Sequence, residues 1–239
     1  LKTLNIPVLC CDPPLQDRGE QQLVSMDEAC SSSIISVHVP LTQDGNYTTK
    51  YLFDTSRLGK LRPDVLLVNT SRGGVIEKTG LLARLQSGQL KAALDVWPDE
   101  PFIEPELLDL VTVATPHVAG YSREGKQAGT EMIYQAFCRT FALSPVTDTV
   151  PGMNISVLDI RSANSADDVL KQSIQSSSQV GRDDALLRGL PAFKPDDLRL
   201  HIDGVRAVYP DRYEFKSYRV PDIACADTDL LAQLGFKTS

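Results

Sequence analysis

The chain has 239 residues, 42% of them hydrophobic and 23% charged, with a formal net charge of −7. That length allows one large domain or two smaller ones, each with its own core. The acidic balance leaves no basic surplus to neutralise phosphates, which argues against a nucleic-acid partner, and no apolar run reaches the ~18 residues a membrane helix needs. The five cysteines form neither a C-x-x-C pair nor a disulfide framework. Cys10 and Cys11 read as small buried hydrophobes, and a reducing, cytoplasmic setting is expected. No metal-ligand spacing occurs. The first residue is Leu1, not Met, and no signal-peptide pattern opens the chain, so the sequence reads as cut at its N-terminus.

Pro7 to Cys11 is a short apolar run that predicts a strand, stopped at Asp12-Pro13-Pro14 because two prolines remove two N–H donors. Ser25-Met26-Asp27-Glu28 fits a capping box opening a short helix to about Ser31. Ile34 to Val39 predicts the next strand, closed by Pro40, with His38 inside it read as structural. Thr42 to Thr49 is a polar loop. Val65 to Val68, Ala92 to Val96 and Val111 to Ala114 predict three further strands. Helices are expected over Thr79 to Gln89, with Gly88 as C-cap, and over Glu104 to Leu110. Alternating strands and helices from Pro7 to His117 predict a parallel sheet with helices on both faces.

Beyond Tyr121 the pattern changes. Ser122 to Leu143 spaces Ala128, Met132, Ile133, Ala136, Phe137 and Phe141 for one long amphipathic helix. Val146 to Asn154, with Pro151-Gly152, reads as a linker. Strands are expected over Ile155 to Ile160 and Tyr213 to Val220, and helices over Ala166 to Ile174 and Thr228 to Leu234. Ser176 to Ser178 reads as a loop, and Arg182-Asp183-Asp184 as a solvated turn or helix start. The division expected is therefore residues 1–145, with the helix 122–143 leading out, and a small α+β domain over 150–239.

Chemistry concentrates between Asn69 and Tyr121. Arg72, Glu100 and His117 each follow a predicted strand end, where ligands bind in open α/β sheets. Arginine offers a planar fork that matches a carboxylate bidentately, and Gly73 and Gly74 beside it let backbone approach a ligand, although a lone arginine more often makes a surface salt bridge. His117 is the natural general acid/base, provided that Glu100 reaches its ring and fixes the tautomer. Asp95 could accept a hydrogen bond from a nicotinamide carboxamide, and Gly120 could admit a cofactor, a turn glycine being the commoner case. Trp97, the single tryptophan, reads as a packing residue. Asp12 has two even readings: a turn-former before Pro13, or a strand-end carboxylate that accepts from the adenosine ribose hydroxyls and favours NAD over NADP.

Cys11 to Pro14, His38 to Thr42, Asn69 to Gly74, Asp95 to Pro101 and Pro116 to Gly120 together resemble the D-2-hydroxyacid dehydrogenase family, over residues 1 to about 143. The resemblance implies a Rossmann-type sheet and hydride transfer between NAD and a 2-hydroxy acid. It places Arg72, Glu100 and His117 in the catalytic positions, Asp12, Asp95, Gly120 and the backbone near Val39 against NAD, and Tyr121 on the substrate. A closer likeness, through Asp12 to Gly19, Asp44 to Thr49, Ala119 to Lys126, Arg182 to Asp184 and Tyr209 to Phe215, is to family members of the vitamin B6 pathway. It implies a phosphorylated 2-hydroxy acid substrate, 4-phospho-D-erythronate, and a homodimer formed through the C-terminal domain.

The chain also departs from the family. No Gly-x-Gly-x-x-Gly occurs, although the family places one before the strand ending at Asp12 to cradle the pyrophosphate. The sheet is therefore expected to lack its first strand, and the 239 residues alone to have little activity. Three alternatives stay open: another D-2-hydroxyacid dehydrogenase of the phosphoglycerate or glyoxylate type, an NAD-responsive binding protein, and an inactive fragment.

Overall fold

The computed structural model describes residues 1–146, 155–189, 202 and 204–238. The linker expected over Val146 to Asn154 lies, beyond Val146, outside the described residues. Two compact units emerge, one of Pro7–Ala119 with Val180–Tyr209, the other of Leu1–Ile6, Gly120–Gln179 and Pro210–Ser239.

The first unit is built on four parallel strands: β1 (Ile34–Val37), β2 (Val65–Asn69), β3 (Leu90–Leu94) and β4 (Val113–Ala114), in the order β1-β2-β3-β4. Parallel neighbours need crossover helices, and Thr55–Lys60, Lys78–Gln86 and Pro105–Leu110 supply them. The core is the inward row of the strands, Val65, Leu67, Ala92, Leu94 and Ala114, closed by Leu58, Leu81 and Leu107 from the helices. This is the Rossmann-like α/β arrangement expected.

Several local expectations need correction. Pro7 to Cys11 forms no strand: its one backbone bond to a neighbouring segment runs from Val24 N–H to the Cys10 carbonyl at 2.8 Å. Without a partner along its length its side chains face solvent, so Cys10 is exposed and Cys11 half-buried. The helix Thr55–Lys60, absent from the sequence reading, starts where the Asp54 carboxylate accepts from Arg57 N–H at 2.7 Å. The charge cluster Arg182-Asp183-Asp184 lies in a helix, Val180–Gly189, rather than in a solvated turn. Asp183 is 2% exposed and accepts from the Tyr209 hydroxyl at 2.5 Å and from Arg182 at 2.8 Å.

The compact units do not divide at 145–150. The helix Val180–Gly189 closes the β4 edge: Asp184 accepts from Ala114 N–H at 2.7 Å, while Arg188 donates to the carbonyls of Leu108 and Val111 at 2.7 and 2.8 Å. These bonds satisfy backbone groups next to the end strand. The long helix Arg123–Thr140, in turn, groups with C-terminal residues. Ser122 Oγ donates to Glu214 at 2.9 Å, Arg123 N–H to the Arg212 carbonyl at 2.8 Å, and Glu214 N–H to Glu124 at 3.2 Å.

That second unit pairs β5 (Ser156–Val157) with β6 (Tyr218–Arg219) in parallel, around a small core of Leu158, Val169, Val220, Leu231 and Phe236. The strand expected over Tyr213 to Val220 shortens to β6, because the Ser217 hydroxyl turns to Glu124 and residues Phe215–Ser217 wind into a 3-10 turn. The helix Ala166–Ser177 runs through part of the loop expected at Ser176 to Ser178. Met132, Ile133, Phe137 and Phe141 of the long-helix segment are 71%, 74%, 51% and 62% exposed. Among the described residues, no helix is long and apolar enough to cross a membrane.

Candidate active site

Parallel strands bring their carboxyl ends to one edge of the sheet. Asn69 of β2 sits opposite Leu94 of β3, and Leu94 opposite Ala114 of β4, so the loops that follow start level with one another. Those loops carry Arg72, Glu100 and His117.

The first loop is shaped by Asn69, buried to 1% exposure. Its carboxamide oxygen accepts from Ser71 N–H at 3.0 Å and from the Ser71 hydroxyl at 2.8 Å, and its amide donates to the Arg72 carbonyl at 3.0 Å. This is an Asx-turn, legible in principle from Asn followed two residues on by Ser. Arg72 itself is exposed, and its guanidinium donates to the Ser71 carbonyl at 2.6 Å. Among the described residues it makes no ion pair. Gly73 has a different purpose from ligand approach. A Cβ there would lie 1.7 Å from the Trp97 carbonyl oxygen, so only glycine lets the first loop pack on the second.

The second and third loops meet in a hydrogen-bonded pair. His117 Nδ1 lies 2.8 Å from Glu100 Oε2, with the two side chains 28% and 27% exposed. The other Glu100 oxygen accepts from Trp97 N–H at 2.8 Å. A carboxylate only accepts, so in the neutral ring the proton sits on Nδ1 and the lone pair on Nε2. The chain thereby presents a basic nitrogen at a strand end.

Asp95 holds this turn in place. It is 3% exposed, and its carboxylate accepts from the Thr115 hydroxyl at 2.6 Å, Val118 N–H at 2.8 Å and Ala119 N–H at 3.0 Å. Its carbonyl takes His117 N–H at 2.8 Å. His117 stands at φ 57°, a conformation that costs a β-carbon residue roughly 1 kcal/mol or more, and the Asp95 bonds hold it there. Three of about four acceptor positions on the Asp95 carboxylate are thus filled by the chain's own donors. Its main task is to build the His117 turn. Lys78 ties the Glu100 loop from outside, bonding Asp99 at 2.6 Å and Glu104 at 3.0 Å. Both carboxylates raise the lysine pKa.

The remaining sequence-assigned residues are less tightly built. Asp12 is exposed and caps the helical turn Pro13–Gln16, one oxygen accepting from Leu15 N–H at 3.0 Å. The turn-former reading is therefore visible, and it leaves the second oxygen available. Val39 is half-buried against the sheet core. Gly120 and Tyr121 belong to the other compact unit. A Cβ at Gly120 would meet nothing within 4 Å, so crowding does not demand glycine there. The Tyr121 ring lies 4.1 Å from Lys126 Nζ. Among the described residues, no group of three or more His, Cys, Asp or Glu is placed to hold a metal.

Residues 1–119 match the family model described as D-isomer specific 2-hydroxyacid dehydrogenase, NAD binding domain. The chain is 40% identical over 228 residues to an erythronate-4-phosphate dehydrogenase of Marinobacter nauticus, covering 92% of this chain and 59% of that protein. It is 38% identical over 244 residues to an erythronate-4-phosphate dehydrogenase of Tolumonas auensis, covering 99% and 62%. The chain thus spans about three fifths of the length of these curated relatives. Among solved structures, D-mandelate dehydrogenase of Rhodotorula graminis aligns over 56% of this chain and 39% of its own, at 30% identity and a TM-score of 0.44.

Proposed function

From a chain that belongs, through residues 1–119, to the D-isomer specific 2-hydroxyacid dehydrogenases, we propose an NAD-dependent oxidation of a phosphorylated 2-hydroxy acid. The observation that supports it most directly is the 2.8 Å bond between Glu100 and His117 at the end of a parallel sheet. The substrate we assign is 4-phospho-D-erythronate, after the relatives named erythronate-4-phosphate dehydrogenase, which puts the reaction in vitamin B6 biosynthesis.

The residues present fit a bound dinucleotide in part. Asp12 offers an uncommitted carboxylate oxygen for the adenosine ribose, and the Val39 backbone and Gly120 are assigned to the cofactor on the family resemblance. Asp95 has one acceptor position left after its three internal bonds. When bound, NAD supplies the hydride acceptor.

The chain supplies positioning and proton transfer. The Arg72 guanidinium, held by one bond to its own backbone, can swing to clamp the substrate carboxylate bidentately. His117 Nε2 takes the proton of the 2-hydroxyl as the C2 hydride leaves, and Glu100 stabilises the imidazolium through Nδ1. Tyr121 is assigned the substrate phosphate on the resemblance alone. The product is 2-oxo-3-hydroxy-4-phosphobutanoate. A homodimer through residues 150–239 and a cytoplasmic location complete the proposal. Exposed Val157 in β5 and five free cysteines support them respectively.

The test is NADH formation from 4-phospho-D-erythronate by the protein as expressed from its own gene. Turnover is expected, with His117→Asn lowering it about 10²- to 10⁴-fold, the usual contribution of a general base. Turnover by His117→Asn at the parent rate would overturn the assignment.

A further inference from the structure

Trp97 reaches all three loops of the site, the second and third through hydrogen bonds and the first through close packing of its carbonyl on Gly73. It is 2% exposed, and its indole N–H donates to the Thr115 carbonyl at 3.1 Å, two residues before His117. The Thr115 hydroxyl in turn bonds Asp95 at 2.6 Å, so the indole reaches the base of the histidine turn. The main-chain N–H of Trp97 donates to Glu100 at 2.8 Å, and its carbonyl lies where a side chain on Gly73 would have to go.

A buried indole N–H without an acceptor is costly, so it usually finds one. Here the acceptor sits on the strand end that carries the imidazole, while the same residue's backbone holds the carboxylate. One rigid residue therefore sets both ends of the Glu100–His117 hydrogen bond. Its carbonyl also fixes how closely the Arg72 loop packs.

We propose that Trp97 is a positioning residue for the Glu100–His117 pair, acting on the imidazole through Thr115 and on the carboxylate through its own main-chain N–H. The proposal rests on reading that pair as the catalytic base and its support. Such pairs must be held within roughly half an ångström of the productive geometry, and a 1 Å error costs about 10²-fold in rate. A bond lost at one remove should cost less, about tenfold.

Trp97 is the only tryptophan of the 239 residues, so residue-specific replacement in a tryptophan auxotroph alters this position alone in that chain, and an amber codon at this position confines the replacement to it in the protein expressed from the gene. Two analogues of nearly the same shape separate the hydrogen bond from the packing. In 4-fluorotryptophan the ring N–H is kept and no new buried acceptor nitrogen is added; in 3-benzothienylalanine a sulfur replaces the N–H. Turnover is measured in the protein as expressed from its own gene, and amide resonances in the cofactor-free 239-residue chain. The fluorotryptophan protein should match the parent. The benzothienyl protein should lose about tenfold in kcat, with KM for NAD and for the hydroxy acid changed less than about twofold, and the Thr115 and His117 amides should shift.

Parent-like kcat and unshifted amides in the benzothienyl protein would overturn the proposal. Equal losses with both analogues, in step with Tm, would also overturn it and leave Trp97 a packing residue. If instead His117→Asn keeps parent turnover, the catalytic reading fails and this proposal with it, whereas loss of turnover in His117→Asn beside a parent-like benzothienyl protein sinks this proposal only.

Discussion

The loops after β2, β3 and β4 and the segment Pro7–Pro14 belong to one compact unit, and both lie within the residues the family model matches, but they are built differently. The loops are held by buried acceptors, Asn69 within its own loop and Asp95 across to the next. Asn69 and Asp95, at 1% and 3% exposure, each gather several donors, and Gly73 lets two loops touch. Pro7–Pro14 has the Val24 bond to Cys10 and the Asp12 cap, and its Val8 and Leu9 are 42% and 46% exposed. The end of the site assigned to proton transfer is thus preorganised by several buried bonds, while the end assigned to the adenosine ribose rests on the Val24 bond and the Asp12 cap. Preorganisation counts most where charge develops during reaction, because protein dipoles then need no rearrangement.

The comparison breaks first at Gly73. Gly73→Ala drives a Cβ into the Trp97 carbonyl, which is backbone and cannot turn aside, so a loss of about 3 kcal/mol or more is expected in urea unfolding. Gly59→Ala, inside the helix Thr55–Lys60 with nothing within 4 Å of its Cβ, should instead stabilise by about 0.5 kcal/mol. Similar losses at both glycines would mean that the contact with Trp97 does not shape the site. Asp95→Asn comes next. The amide has one acceptor oxygen where the carboxylate offers two to three buried donors, so about 2 kcal/mol should be lost. An unchanged urea midpoint would contradict the role given to Asp95.

Amide exchange sharpens the contrast without any substitution. Val118 and Ala119 N–H, bonded to a buried carboxylate, should exchange far more slowly than Val24 and Leu15 N–H at the other end. Equal protection would erase the distinction. The smallest effect is expected at Lys78. Its pairs with Asp99 and Glu104 are largely solvated, so Lys78→Met should change stability by less than about 0.5 kcal/mol. Because those carboxylates raise the lysine pKa, the tether is complete below the ordinary lysine range and is lost as pH climbs through the raised value. A loosening of the Glu100 loop on acidification from pH 9 to 7, seen in its amide resonances, would contradict that sign.

Much of this organisation is legible in the chain. Val65 to Val68, Ala92 to Val96 and Val111 to Ala114 announce themselves as apolar runs, and all three become parallel strands with Arg72, Glu100 and His117 in the loops that follow. The Ser25 cap is also present, its hydroxyl accepting from Glu28 N–H at 3.2 Å. Pro7 to Cys11 misleads because a strand is a property of two segments, and apolar composition reports only one. The helix Thr55–Lys60 escapes because Gly59 and the polar Thr55-Ser56-Arg57 hide any apolar period. Asp183 misleads in the opposite sense: charge density suggests solvent, but Tyr209 and Arg182, one of them 26 residues away, satisfy the carboxylate inside the fold. Gly73 and Trp97 show the same limit at the site. Their roles depend on a contact between loops, which spacing along the chain does not encode.

The most direct test of the preorganised base is the 15N spectrum of the His117 ring in the chain without cofactor, recorded where the ring is neutral. A bare, pyridine-like Nε2 and a protonated Nδ1 are expected, with the two forms mixing in Glu100→Gln, whose amide can donate as well as accept. A ring protonated on Nε2 in the parent chain would contradict the account, since the nitrogen assigned to the substrate proton would already hold one.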